Sequence, residues 1–244
     1  MGNVTLNGST SGQITLAPTA VAGTNTLTLP AATGVVLTSP MPATTLAATP
    51  SAGAVEYDGK VFYATPQGTQ RGVIPGAQYY RLNADLAGTQ ATTAQNSFGV
   101  GVTLSASTVY VFEINYMFAK TAGTTSHNFG FLFGGTATLN NINYSLIGGN
   151  SSTTTFASGG NVVPYVGYTS SASALTVGTG FTTATVYITL VFKGTVSVNA
   201  GGTFIPQYIL SAAPGGAYST VAGSYINIYP IGTSGTNTSV GAWA

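Results

Sequence analysis

The most regular alternation in the chain is TVYVFEINYMFAK, Thr108 to Lys120. Tyr110, Phe112, Ile114, Tyr116 and Phe118 fall on one face, and each is apolar or aromatic. Period two over this length predicts a strand with one buried face. Glu113, Asn115 and Lys120 are assigned positions outside that stripe. HNFGFLFGG aligns Phe129, Phe131 and Phe133, and TVYITLVFKG aligns Val186, Ile188, Leu190 and Phe192. TFIPQYILSA and SYINIYPIG continue the series. Pro206 cannot donate to a ladder, so it predicts an edge strand or a bulge. GGNSSTTTFASGGN, Gly148 to Asn161, reads as a loop. No long segment has helical spacing, and Thr, Val, Tyr, Phe and Ile dominate. Roughly eight strands after residue 77, separated by turn signals, predict an all-β domain, an antiparallel jelly-roll-like β-sandwich over 77–244. A closed barrel satisfies the same pattern.

The first forty residues alternate in shorter pieces: NVTLNG, GQITLAP, NTLTLPA and GVVLTS. Val4 with Leu6, Ile14 with Leu16, and Leu27 with Leu29 point to one face, with threonines between them. Strands this short bury little area alone and are expected to be completed by neighbouring chains. Residues 1–40 therefore read as a short N-terminal β segment, for attachment or for a trimeric stalk. PMPATTLAATPSA, Pro40 to Ala52, reads as an extended linker. In AVEYDGKVFYA, Asp58-Gly59 stands between two alternating runs and predicts a two-residue hairpin turn. Residues 41–76 are accordingly a linker and hairpin.

Charge changes this picture most. Among 244 residues there are five Lys and Arg, four Asp and Glu, and one His, so charged residues are 4% of the chain. Soluble proteins usually carry about 25%. Five scattered cations form no basic patch for nucleic acid and no polybasic segment for an anionic membrane. A surface with so little charge has little colloidal protection, and is expected to be covered by copies of itself or by other proteins. There is no Cys, which removes disulfides, thiolate metal sites and cysteine nucleophiles. MGNVTLNGSTSG has neither the cationic nor the apolar region of a signal peptide, and no apolar run is long enough for a membrane helix.

Candidate chemistry is sparse. Glu56 and Asp58, two apart, invite a glycosidase reading, but a turn role for Asp58 and a solvated position for Glu56 explain them without chemistry. Asp85 and Glu113 are isolated in sequence. His127 has no metal-ligand partners in the pattern and reads as a loop or strand-start residue, whose replacement by Ala would change little. The expectation is no catalytic residue, no metal and no cofactor. Tyr79, Tyr80, Tyr165, Tyr168, Tyr218, Tyr225 and Tyr229 lie near expected loops or strand ends, where stacking on a glycan is feasible. Trp243 reads as a plug in a subunit contact.

SGQITLAPTAVAGTNTLTLPAATGVVLTS resembles a recurrent module of tailed-bacteriophage virion proteins, especially tail fibres and other appendages. AGAVEYDGKVFYATPQGTQRGVI resembles the short hairpin that often follows it. The stretch from YYRLNADLAGTQ to NNINYSL resembles the domain found after these modules. The resemblance implies an exposed homotrimeric virion component, a tail fibre, capsid fibre or decoration protein, assembled in the bacterial host cytoplasm and carried on the particle exterior. Its implied partners are itself and other capsid or tail proteins. A receptor-binding module for host surface glycan is the alternative. A polysaccharide depolymerase is disfavoured by the few carboxylates, and a cellular surface-layer subunit by the missing export signal.

Overall fold

The structure is a computed structural model that describes residues 4–7, 13–16, 46–152, 163–169, 172–235, 237–241 and 243. Backbone contacts divide the chain into two units, Met1–Pro42 and Ala43–Ala244. In the first, β1 (Val4–Asn7) pairs antiparallel with β2 (Gln13–Leu16), with Val4 opposite Leu16 and Leu6 opposite Ile14. The expected strands NTLTLPA and GVVLTS, and the first part of the expected linker, lie outside the described residues.

The second unit opens with a three-stranded antiparallel sheet, β3 (Val55–Tyr57), β4 (Phe62–Ala64) and β5 (Gly72–Ile74). The hairpin expected at Asp58-Gly59 is present but its turn is one residue later. Asp58 N–H donates to the Val61 carbonyl at 3.3 Å, which closes the turn around Gly59 and Lys60. Asp58 flanks the turn, and its Oδ1 accepts from the backbone N–H groups of Lys60 and Val61 at 2.7 and 2.8 Å. Gly59 takes φ +90°, the conformation for which glycine is suited. An Asp that accepts from the two following amides acts as an Asx turn and does not itself need positive φ.

Thirteen described strands build the sandwich: β6 (Gln78–Arg81), β7 (Leu86–Ala87), β8 (Gln95–Asn96), β9 (Val102–Leu104), β10 (Thr108–Lys120), β11 (His127–Gly134), β12 (Thr138–Ser151), β13 (Val163–Thr169), β14 (Leu175–Phe181), β15 (Val186–Ala200), β16 (Gly202–Leu210), β17 (Ser219–Thr220) and β18 (Tyr225–Thr233). Eight of them have seven residues or more, which matches the number expected from the pattern; the others are short edge pieces. The large sheet runs β13-β12-β15-β10, and β10 is then flanked by β18-β6 along its first half and by β17-β7 near its end. The facing sheet runs β14-β11-β16, with β9 and β8 in turn along the far side of β16. Among the described strands all pairs are antiparallel and both sheets end in open edges, so this unit is a jelly-roll-like sandwich and not a closed barrel.

The core lies between the two sheets. Tyr110, Phe112, Ile114, Tyr116 and Phe118 of β10, with Ile188, Leu190 and Phe192 of β15, face Phe129, Phe131 and Phe133 of β11, and all are buried. A ring contact joins the layers, with Phe131 and Phe192 centroids 4.2 Å apart, and within the facing sheet Phe133 stacks on Phe204 at 4.6 Å. Aromatic pairs of this kind add about 0.5–1.5 kcal/mol beyond their area. Gly194 of β15 stands opposite Phe112. A Cβ there would lie 2.9 Å from Phe112 Cζ, so the glycine leaves the room that the ring fills.

Four expectations are corrected. Lys120 shares the even-numbered face of β10 and is buried, where it had been assigned outside the stripe. Gly148 to Ser151 are strand and not loop, because β12 continues between β15 and β13. A Cβ at Gly148 would run into the Thr189 carbonyl and Leu190, so this glycine permits close backbone approach inside a sheet. Residues 153–161 of the same expected loop lie outside the described residues. Glu56, expected to be solvated, is partly buried against Arg71, as described below. Pro206 lies neither on an edge strand nor at a bulge in its pairing with β11, since β16 has β11 on one side and β9 and β8 on the other. Its carbonyl accepts from Ser97 N–H on the side where β16 changes partner between β9 and β8, so the missing N–H falls at a break in the ladder.

Candidate functional site

The structure gives each carboxylate a partner of its own. Glu56 Oε2 pairs with Arg71 at 2.8 Å while Oε1 accepts from Ala47 N–H. The Ala47 amide foremost, and then the Arg71 guanidinium, hold the Glu56 carboxyl below its usual range against desolvation. Asp58 accepts from the turn amides and, through Oδ2, from the Tyr63 hydroxyl at 2.8 Å. Partial burial works against its charge, but these donors together lower its pKa. Asp85 Oδ1 accepts from Ala222 N–H, and Glu113 lies on the outer face of β10 beside Lys193 and Tyr225. Asp85 and Glu113 thus serve separate hydrogen bonds. Among the described residues no group of three or more His, Asp or Glu is placed to hold a metal ion, and no helix is long and apolar enough to cross a membrane.

The second cluster is buried at one end of the sandwich. Lys120 Nζ, 1% exposed, donates to the carbonyls of Gly123 and Thr183 at 2.7 Å, and of Ala122 and Ala184 at 3.1 and 3.2 Å. It therefore clasps the β10–β11 and β14–β15 loops together. Burial lowers its pKa. The ammonium sits 6.0 Å from the centre of the Tyr218 ring, and the Tyr218 hydroxyl lies 2.8 Å from His127 Nε2. His127 Nδ1 is 2.8 Å from the Thr125 carbonyl. A carbonyl only accepts, so the proton is on Nδ1 and Nε2 accepts from Tyr218. Desolvation, aided by the Lys120 charge, lowers the His127 pKa against the Thr125 bond. His127 opens β11, the strand-start position expected for it, but at 2% exposed it is a structural bridge and not a residue without a task. Tyr218 is fully buried, which removes it from the tyrosines expected to be free to stack on a glycan.

The third arrangement is on the outer face of the large sheet. Register places Tyr79, Asn227, Glu113, Lys193 and Ser145 in one row across β6, β18, β10, β15 and β12. The next row is Arg81, Tyr225, Asn115, Val191 and Ile147. Tyr79 is 59% exposed and stacks on Tyr225 with centroids 5.3 Å apart. Tyr225 donates its hydroxyl to Glu113 Oε1 at 3.0 Å, and Glu113 Oε2 pairs with Lys193 at 3.2 Å. The Glu113 carboxylate, with some desolvation, raises the Tyr225 pKa, while Tyr225 and Lys193 lower that of Glu113. Each ring is thus fixed by the group behind it.

Beside this row the sandwich is open. A cleft of about 300 Å³ lies between the edges β6 and β9, lined by Tyr80, Phe98, Val100, Val102, Ile226 and Ile228 among others. Tyr80 meets Phe98 edge to face at 5.9 Å. Tyr79 and Tyr80, adjacent in sequence, therefore serve opposite faces of one edge strand. Tyr229 is on the outer face one row from Glu113. The side chains of Tyr165 and Tyr168 lie outside the described residues. Trp243 is 80% exposed, its Nε1–H donating to the Val240 carbonyl. The tyrosine row was legible as a set of exposed aromatics, but its support by Glu113 and Lys193 required the strand register.

No family model matches the chain, and no curated protein matches it. A solved structure described as Eiger TNF from S. frugiperda is similar at 11% identity over 68% of this chain and 98% of that one, with a TM-score of 0.30.

Proposed function

We propose that this chain is a non-enzymatic structural subunit of a tailed-phage virion, a homotrimeric fibre or surface decoration on tail or capsid. The observation that carries the reading is the use made of the ionisable groups. All four carboxylates are committed to turn, strand or loop hydrogen bonds, and the single His and Lys120 fasten loops inside the fold. That is the economy of a scaffold, and it joins the resemblance of the N-terminal module to phage appendage proteins. A second observation supports self-association. Val55, Phe62 and Ile74 lie on one face of the three-stranded sheet and remain largely exposed, whereas Glu56 and Tyr63 occupy the alternate positions. Exposed apolar faces of this kind mark contact surfaces.

Immunogold electron microscopy on particles of the virus that encodes the chain tests the location. Label on the outside of tails or capsids is the expected result, and unlabelled particles beside a labelled host cell would overturn it. Light scattering of the full chain behind a sizing column tests the assembly, with a mass near three times 24.5 kDa expected. A monomer would remove the trimer and leave a subunit that folds onto another virion protein.

A further inference from the structure

We propose that the outer face of the large sheet binds a pyranose-containing saccharide, seated on the exposed ring of Tyr79. This goes beyond the structural role and does not depend on it.

An exposed tyrosine at a sheet edge usually keeps rotamer freedom, which binding would have to remove. Tyr79 is different because it is backed by a chain of contacts on rigid strands. Tyr225 stacks beneath it, Glu113 fixes the Tyr225 hydroxyl, and Lys193 fixes the other oxygen of Glu113. Such support is the mark of a preorganised contact and reduces the ordering cost of a ligand. The free face of the ring offers a flat surface with a negative π cloud, which attracts the weakly positive C–H groups of a sugar ring. Around it the register sets short polar groups on one plane: Asn115 and Asn227 beside the tyrosines, and Ser145 beyond Lys193. Glu113 and Lys193 neutralise one another, and Arg81, opposite Tyr225, donates to Asn83 Oδ1 at 2.6 Å. The platform therefore offers hydroxyl-matching donors and acceptors with a single flanking cation. A peptide strand or a nucleic acid would require, respectively, a run of side-chain pockets or several cations on this face. The row has neither.

The test is titration calorimetry of the full chain with maltoheptaose, cellohexaose, chitohexaose and hexagalacturonate, followed by amide and tyrosine-ring NMR shifts. At least one probe is expected to bind saturably, with shifts confined to the Tyr79, Tyr225 and Asn115 neighbourhood. Tyr79→Ala is expected to weaken it about tenfold, the value of one well-placed aromatic contact. Tyr79→Trp should retain binding, and Tyr225→Phe should weaken it by about threefold by releasing the ring from Glu113. Preference for hexagalacturonate would add Arg81 to the site; preference for a neutral probe would leave the tyrosine platform alone. Binding that Tyr79→Ala leaves unchanged, shifts that map elsewhere, or no binding of any probe would overturn the proposal. None of these results alters whether particles label with antibody, so the virion reading stands or falls separately.

Discussion

The two faces of β10 are made by one run of thirteen residues, yet they obey different physics. The inner positions are closed to solvent, and they hold four aromatic rings, one Ile and one Lys between Tyr110 and Lys120. The outer positions carry Glu113, Asn115 and Met117, partly or fully exposed. Inside, a polar group needs a complete set of partners, because leaving one unmade costs about 1–3 kcal/mol. Outside, water completes whatever the protein leaves undone. Lys120 shows the first rule with four carbonyls around one ammonium, and the Glu113–Lys193 pair shows the second, with side chains 37% and 68% exposed. The same residue class is therefore indispensable on one face and nearly neutral on the other.

The largest effect expected from this contrast is at Phe112. Phe112→Asp places an unpaired charge among Phe133, Tyr144 and Phe204, where its desolvation exceeds the roughly 5–15 kcal/mol that stabilises a domain. Loss of the cooperative thermal transition and of near-ultraviolet circular dichroism is expected. A soluble variant that melts like the parent would mean that this face is not the core.

Next comes the clasp. Lys120→Ala removes a buried stem and strands four carbonyls, for an expected loss of about 3 kcal/mol in denaturant unfolding. Lys120→Met keeps most of the volume and should lose only the donor share, about 1–2 kcal/mol. Equal losses from the two variants would show that stem packing contributes nothing and that the ammonium is the whole effect, and an unchanged Lys120→Met would show that packing is the whole effect.

These residues also show where the sequence is readable and where it is not. The alternation from Tyr110 to Phe118 specifies the inner face because period two leaves no other way to bury those rings. Continued by two residues it reaches Lys120, and counted back from Phe129 it reaches His127; both are inward, although the sequence reading puts Lys120 outside the stripe and gives His127 no special task. Side-chain polarity argued against burial, but parity was the better guide, since a strand cannot turn one side chain over without a bulge. What no pattern supplies is the partner. The carbonyls around Lys120 come from loops 63 and 64 residues away as well as from its own, and Tyr218, bonded to His127, lies 91 residues away in the irregular segment SAAPGGAYST. Likewise the Tyr79 platform is assembled by β18, whose pairing with β6 follows from no local signal.

His127 sharpens the comparison through pH. Its pKa is lowered by burial from an ordinary 6.5, so the unfolded chain takes up the proton first. Stability should be complete above pH 6.5 and should decline as pH falls from there toward the lowered folded value. The lowered pKa values of Glu56, Asp58 and Glu113 add losses only below their ordinary 4.5, 3.8 and 4.5. Urea melts between pH 7 and 5 should show the histidine part alone, and His127→Gln should flatten it. His127→Ala at pH 7 should cost about 2 kcal/mol, from the lost Tyr218 and Thr125 bonds and the space left behind. A flat parental curve over this window would mean that the imidazole is open to water.

Tyr144 offers a gain. Its hydroxyl is buried with no hydrogen-bond partner among the described residues, and burial pushes its pKa up to about 12. Tyr144→Phe keeps the ring contacts with Phe112, Phe133 and Phe192 and removes the unsatisfied group, so stability should rise by about 1 kcal/mol. A loss instead would reveal a bound water serving that hydroxyl.

The smallest effect belongs to the outer face. Glu113→Gln breaks the pair with Lys193 and keeps an acceptor for the Tyr225 hydroxyl. Exposed pairs contribute about 0–1 kcal/mol before screening, and salt reduces that further. The melting temperature should therefore move by no more than about 2 °C, less at high salt. A large shift would show that the outer face is desolvated in the assembled protein, since only exclusion of water makes such a pair count. That result would place a neighbouring chain over Tyr225 and Tyr79, where the saccharide is proposed to sit. The near-silent outcome leaves the platform open, with Glu113 acting only to hold Tyr225 in place.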